Sequence, residues 1–151
     1  MSEILEPAVA SAYFLDTNIL IYATSLSADH AAKAPAARAW VQRGDWGVST
    51  QVLMEFYANA RRPQHGLLPT AAEEFVQRIA ARRPVQAVDA ELVLGALALR
   101  HRFYLSHWDA AILCAARRLG AHTVISEDME QGRDYEGVTV LNPFLALAGG
   151  N

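Results

Sequence analysis

The chain has 151 residues, 52% of them hydrophobic and 19% charged, with a formal net charge of −3. That length makes one domain of ordinary size, and the composition excludes a disordered polyelectrolyte. The lone cysteine, Cys114, rules out an intramolecular disulfide and fits a reducing compartment, while the acidic balance argues against an overall basic nucleic-acid coat.

Tyr13-Phe14-Leu15 reads as a short buried strand that ends in Asp16-Thr17-Asn18, a turn or helix cap. A helix follows from Ile19. Ala31 to Arg43 is alanine-rich and predicts a second helix. Gly44-Asp45 is a turn and Trp46 to Ser49 a second strand. Over Thr50 to Arg61, Leu53, Phe56, Tyr57 and Ala60 fall on one helical stripe, with Glu55 off it.

Pro63 to Pro69 is a loop. Thr70 to Arg82 reads as a helix opened by a Thr70–Glu73 capping box. Pro84 to Val88 is a third strand, and Asp89 to Arg100 a helix. The helix from Ser106 to about Leu119 carries Trp108, Ile112, Ala115 and Leu119 on one face and stops at Gly120. Thr123 to Ile125 and Val138 to Leu141 are the fourth and fifth strands, and Asn142-Pro143 opens a last short helix.

Strands alternating with helices are the pattern of an α/β domain whose parallel sheet is covered on both faces. No apolar stretch approaches the ~20 residues of a membrane-spanning helix. Residues 1–12 carry Glu3 and Glu6 and no Lys or Arg, unlike a secretory signal. They read as a lead-in to a cytoplasmic protein with one domain over 13–148 and a tail over 149–151.

Ligand sites of open parallel sheets lie at the carboxyl ends of the strands. Asp16 directly follows the first strand, Glu55 lies on the helix after the second, and Asp128 follows the fourth. Asp109 sits in the first turn of the helix before the fourth strand. Each has a plainer role: Asp16 as a helix cap, Asp109 in a capping box with Ser106, Glu55 and Asp128 in solvent. Carboxylates gathered together, however, raise one another's pKa unless cations intervene. A set of acids without an accompanying Lys or His suits hard divalent cations, Mg²⁺ or Mn²⁺, and such a centre suits phosphodiester hydrolysis.

At these residues the sequence resembles the PIN-domain ribonucleases, and in particular the VapC-type toxins of toxin–antitoxin pairs. The resemblance rests on Phe14-Leu15-Asp16-Thr17-Asn18-Ile19-Leu20, Gln51-Val52-Leu53-Met54-Glu55-Phe56-Tyr57, Leu105-Ser106-His107-Trp108-Asp109-Ala110-Ala111-Ile112 and Ile125-Ser126-Glu127-Asp128-Met129, with Gly137 to Phe144 as the exit. It implies a three-layer α/β/α sandwich around a five-stranded parallel sheet of order 3-2-1-4-5. It implies endonuclease activity on structured RNA, tRNA or rRNA, with one or two Mg²⁺ or Mn²⁺ ions on Asp16, Glu55, Asp109 and Asp128. Asn18 and Ser126 would orient a carboxylate or the water, and Glu127 would assist or replace Asp128. A homodimer and a small antitoxin partner are also implied.

The alternative is a non-catalytic PIN-like module that binds RNA or protein. Other phosphotransfer classes fit less well. A haloacid-dehalogenase-like phosphatase wants an Asp where Asn18 stands, and a receiver domain wants a placed lysine, of which Lys33 is the sole candidate. Two features depart from the family pattern: His107 stands where an aromatic residue is usual, and residues 1–12 are a long lead-in.

The basic residues cluster mid-chain: residues 60–120 hold nine bases and five acids. Arg61, Arg62 and Arg133 are the candidates to hold RNA phosphates. Cys114, among alanines, reads as a small buried hydrophobe. Trp40, Trp46 and Trp108 read as core anchors, and Tyr22 and Tyr57 as core or dimer contacts. His30, His65, His101 and His122 show no metal-ligand spacing.

Overall fold

The computed structural model describes residues 11–149. Five short strands run parallel: β1 (Tyr13–Leu15), β2 (Trp46–Ser49), β3 (Val85–Gln86), β4 (Thr123–Ile125) and β6 (Val138–Leu141). A sixth, β5 (Asp134–Tyr135), pairs antiparallel with β6, giving the order β3-β2-β1-β4-β6-β5. The five parallel strands stand in the expected order; the antiparallel edge strand is an addition. It is made by a two-residue turn in which Glu136 and Gly137 both have positive φ, 55° and 97°, the backbone of the hairpin turn that matches strand twist. Asp134 Oδ1 accepts from Gly137 N–H at 2.9 Å and locks it.

Helices flank the sheet in two groups. Helix α1 (Thr17–Thr24) packs on α2 (Ala34–Val41) and α3 (Thr50–Ala60), and α3 on α4 (Pro69–Arg82). Helix α5 (Ala90–Phe103) packs on α6 (His107–Arg118), which crosses β2, β3, β4 and β6. A short α7 (Leu145–Gly149) ends the described chain. Phe14, Leu15, Val48, Val124, Ile125 and Val140 are buried along the strands, as expected where both sheet faces are covered. At Gly47 a Cβ would sit 2.8 Å from Leu119 Cδ1 and 2.9 Å from Pro84 O, so α6 and the strand entry of β3 close on a bare backbone.

Several local expectations change. The helix expected over Ala31 to Arg43 shortens to Ala34–Val41, preceded by a 3-10 turn over Ala28–His30. Pro35 explains the late start, because proline fits only the first turn. The Thr70–Glu73 capping box does not form: α4 begins at Pro69 after Leu68, with no side-chain cap. A proline in the first turn has no N–H needing one. The third strand contracts to Val85–Gln86. Trp108 is no core anchor, being 64% exposed, whereas Trp46 is buried. Of the expected lead-in, residues 1–10 lie outside the described residues, as do 150–151 of the tail. Ser11 is already buried, and Ala12 O accepts from His122 N–H at 3.0 Å.

Candidate active site

The strand ends deliver Asp16, Asp128 and the helix-borne Glu55 and Asp109 to one cavity of about 470 Å³. Asp16 caps α1, its Oδ1 accepting from Thr17 N–H at 2.7 Å. Ser126, at the end of β4 and fully buried, donates from Oγ to Asp16 Oδ2 at 2.7 Å. The same oxygen accepts from Asp128 N–H at 3.0 Å and from Asn18 Nδ2 at 3.4 Å. Asn18 Nδ2 also donates to Asp128 Oδ2 at 3.0 Å. Two strand-end loops are thus tied together through Ser126 and Asn18.

Glu55 is held from two sides. Thr17 Oγ1 donates to its Oε1 at 3.0 Å, and Gln51 Nε2 reaches its Oε2 at 3.4 Å. Asp109 lies in the first turn of α6, whose cap Ser106 accepts from Asp109 N–H at 3.1 Å. That turn does both jobs read from the sequence, capping the helix and aiming an acid at the cavity.

The electrostatics are those of crowded acids. Burial pushes the Asp16 carboxyl from 3.8 up to about 7; the Ser126 and Thr17 hydrogen bonds oppose this, and the charges of Asp128 and Asp109 add to it. Asp109 is also raised, by burial first and then by Asp128 and Glu55, against the Ser106 bond. No Lys or Arg lines the cavity among the described residues.

Glu127 is not among the cavity residues. It forms an ion pair with Lys33 Nζ at 2.7 Å and accepts from the Tyr22 hydroxyl. Tyr22 itself lines the cavity, so Glu127 steadies the wall rather than the floor. Arg61, Arg62, Arg133 and His107 do not line it either.

Sequence reasoning missed Thr17, Gln51, Asn59, Tyr22, His30, His65 and Trp108 as cavity residues. Part of this was readable. Gln51, Glu55 and Asn59 follow one another at four-residue steps on α3, hence on one helix face. His30 and His65 carried no such signal. They come from separate 3-10 turns, Ala28–His30 and Pro63–His65, and meet only in the fold.

The PIN domain family model matches residues 13–133. The chain belongs to the PIN-domain family. No protein of curated function matches it in sequence. Among solved structures, a toxin–antitoxin complex from Klebsiella pneumoniae is similar with TM-score 0.62 at 19% identity, covering 87% of this chain and 97% of that one. Mycobacterium tuberculosis VapC20, a sarcin-ricin loop cleaving toxin, gives 0.61 at 22% identity, over 77% and 91%. DNA-bound VapBC from Salmonella typhimurium gives 0.61 at 18%, over 87% and 97%. At these identities the likeness is one of fold.

The residues of this PIN domain fit a divalent cation. Asn18 Oδ1 is buried without a hydrogen-bond partner among the described residues, on a residue that lines the acidic cavity. The raised Asp16 and Asp109 carboxyls are groups that a cation would return to the charged form. Among the described residues no three His, Cys, Asp or Glu side chains stand close enough to share one ion directly, so an ion here would keep water ligands, as Mg²⁺ commonly does.

Proposed function

We propose that this PIN domain is a divalent-cation-dependent endoribonuclease and the toxin of a toxin–antitoxin pair. The observation that carries the reading is the convergence of Asp16, Glu55, Asp109 and Asp128 on one cavity, with Ser126, Asn18 and Thr17 fixing three of them. These four acids are the proposed catalytic residues and would hold Mg²⁺ or Mn²⁺. When bound, such a cation lowers the pKa of water and neutralises charge on a phosphodiester.

The chain's own residues supply orientation. Ser126 and Thr17 N–H fix the rotamer of Asp16, and Asn18 turns Asp128. Thr17 and Gln51 present Glu55. Water attacks the phosphorus of the RNA backbone in line with the departing 3′-oxygen, leaving a 5′-phosphate and a 3′-hydroxyl. The antitoxin partner is supported by the likeness to the Klebsiella pneumoniae toxin–antitoxin complex and to Salmonella typhimurium VapBC. A homodimer and a cytoplasmic location belong to the same reading. No helix among the described residues is long and apolar enough to cross a membrane.

The test is a cleavage assay on tRNA and rRNA fragments with Mg²⁺ or Mn²⁺, with EDTA, and with folded Asp16→Asn and Asp109→Asn variants. The expected outcome is end-defined cleavage lost in EDTA and in both variants. Cleavage that survives either treatment would overturn the metal-site assignment. Tight RNA binding without cleavage by the unaltered chain would favour the non-catalytic module.

A further inference from the structure

The acidic cavity has a second feature. His30 and His65 both line it, with ring centroids 5.3 Å apart and planes within 28°, a stacked pair. The fold spends several contacts on bringing them together. Leu26 N–H donates to His65 O at 2.8 Å, lacing the two 3-10 turns. Gly66, the residue after His65, has φ 73°, and a Cβ there would lie 3.2 Å from Leu26 Cβ. Only glycine takes that conformation and that approach without strain. The Tyr22 ring meets His30 edge-on at 4.8 Å, and Tyr22 is in turn fixed by Glu127 and Lys33.

The nitrogens are arranged unequally. His30 Nδ1 lies 2.9 Å from Ser25 Oγ, and His65 Nδ1 is buried without a partner. Among the described residues neither Nε2 is hydrogen-bonded or among the buried unpaired atoms. Each ring therefore keeps one outward nitrogen. With no Lys or Arg on the cavity wall among the described residues, these two imidazoles are the side chains there able to carry positive charge.

An RNA strand brings one negative charge per nucleotide to a cavity floored by carboxylates, and its affinity depends on meeting those phosphates with donors and cations. We propose that the stacked His30–His65 pair is a subsite for a backbone phosphate of the bound RNA, next to the phosphate that is cut. This rests on the ribonuclease reading above. The Nε2–H groups donate to the phosphate oxygens, each ring making its own hydrogen bond to the anion. Burial, His30 and Arg62 push the His65 imidazole down from its ordinary value, and a phosphate beside it acts in the opposite direction. The pair is a binding subsite; it contacts substrate without touching the reacting atoms.

The experiment uses the full chain carrying Asp109→Asn, in Mg²⁺, with a ten-nucleotide single-stranded RNA of mixed sequence. Side-chain carbon–proton NMR follows the five histidines and the Trp108 indole during titration. The expected result is that His30 and His65 signals move with RNA while His101 and His122 stay. In the same background His65→Asn and His30→Asn weaken binding about tenfold each, and each lowers the slope of log affinity on log salt by ~0.7. Movement of Trp108 without His30 or His65, or unchanged salt slopes, overturns the subsite and leaves the ribonuclease reading standing. No RNA-induced change at any cavity residue also overturns the subsite, while the cleavage assay on tRNA and rRNA fragments decides the ribonuclease reading.

Discussion

Asp16→Asn separates the electrostatics of the site from its chemistry. Folding carries the Asp16 carboxyl from its ordinary 3.8 to about 7, a difference of about three units at ~1.4 kcal/mol each. Below pH 3.8 the group is protonated in both folded and unfolded chains and costs nothing. Between 3.8 and 7 the unfolded chain ionises first, so stability falls as pH rises. Above 7 both forms are ionised and the full penalty, about 4 kcal/mol as a ceiling, is in place. Asparagine does not ionise. It keeps an oxygen for Thr17 N–H, but its amide cannot accept from the Ser126 hydroxyl, so that one hydrogen bond, worth about 1 kcal/mol, is set against the relief of burial.

The expected outcome is that Asp16→Asn is more stable than the parent at pH 8 in EDTA while losing cleavage. For a chain of this size each kcal/mol shifts Tm by ~2–4 °C, so the gain is roughly 5–15 °C. It shrinks toward zero near pH 4. Mg²⁺ should raise the parent's Tm through its preference for the folded state and leave the variant nearly unmoved. The assay is thermal unfolding at pH 4, 6 and 8, with and without Mg²⁺. A variant less stable than the parent at pH 8, or a gain that does not change with pH, would refute the account.

Four other substitutions probe the acids and their supports. Ser126→Ala removes the oxygen that joins Asp16, Asn18 and Asp128; it is expected to cost about 2 kcal/mol in denaturant titration and ~10–100-fold in kcat. Thr17→Val frees Glu55 Oε1 and is expected to cut kcat about tenfold with Tm shifted by only a few degrees. Of the two neighbouring acids, Asp128→Asn should abolish cleavage. Glu127→Gln, which weakens only the Lys33 pair and the Tyr22 contact, should keep kcat and lower stability by about 1 kcal/mol or less.

Short-range chemistry was the legible part of this chain. Strand positions, the Ser106 cap and the strand-end acids all follow from local pattern, because a parallel strand needs an apolar run and a helix needs a capped start. What escaped was set by distant partners. Trp108 lies on an apolar helical stripe, yet the fold leaves it mostly exposed. Glu127 and Asp128 are indistinguishable in sequence; Tyr22 and Lys33, the latter ninety-four residues away, hold the first, and Asn18 on α1 holds the second. The β5 strand was missed because two residues make no periodicity, although the Glu136-Gly137 turn was a local sign.

The arginines show the same effect, with a consequence for RNA. Part of the basic middle is paired inside the molecule: Arg102 and Arg117 share Glu136, and Arg118 holds Asp89 and Glu91. Arg133 pairs with Glu130 and lies over Phe103 and Tyr135 beside the edge strand. Arg61 and Arg62 are exposed and in no ion pair among the described residues. They end α3, the helix of Glu55 and Asn59, and lead directly into the turn that carries His65. A strand bound at the His30–His65 wall would pass these two guanidinium groups, so they are the arginines to test. Arg61→Gln with Arg62→Gln is expected to raise KM and leave kcat unchanged, the signature of lost uniform binding. It should also lower the salt slope by about 1.4, at ~0.7 for each phosphate contact on a single strand. Steady-state cleavage at several salt concentrations measures both. A fall in kcat at constant KM, or an unchanged slope, would remove these arginines from the RNA path.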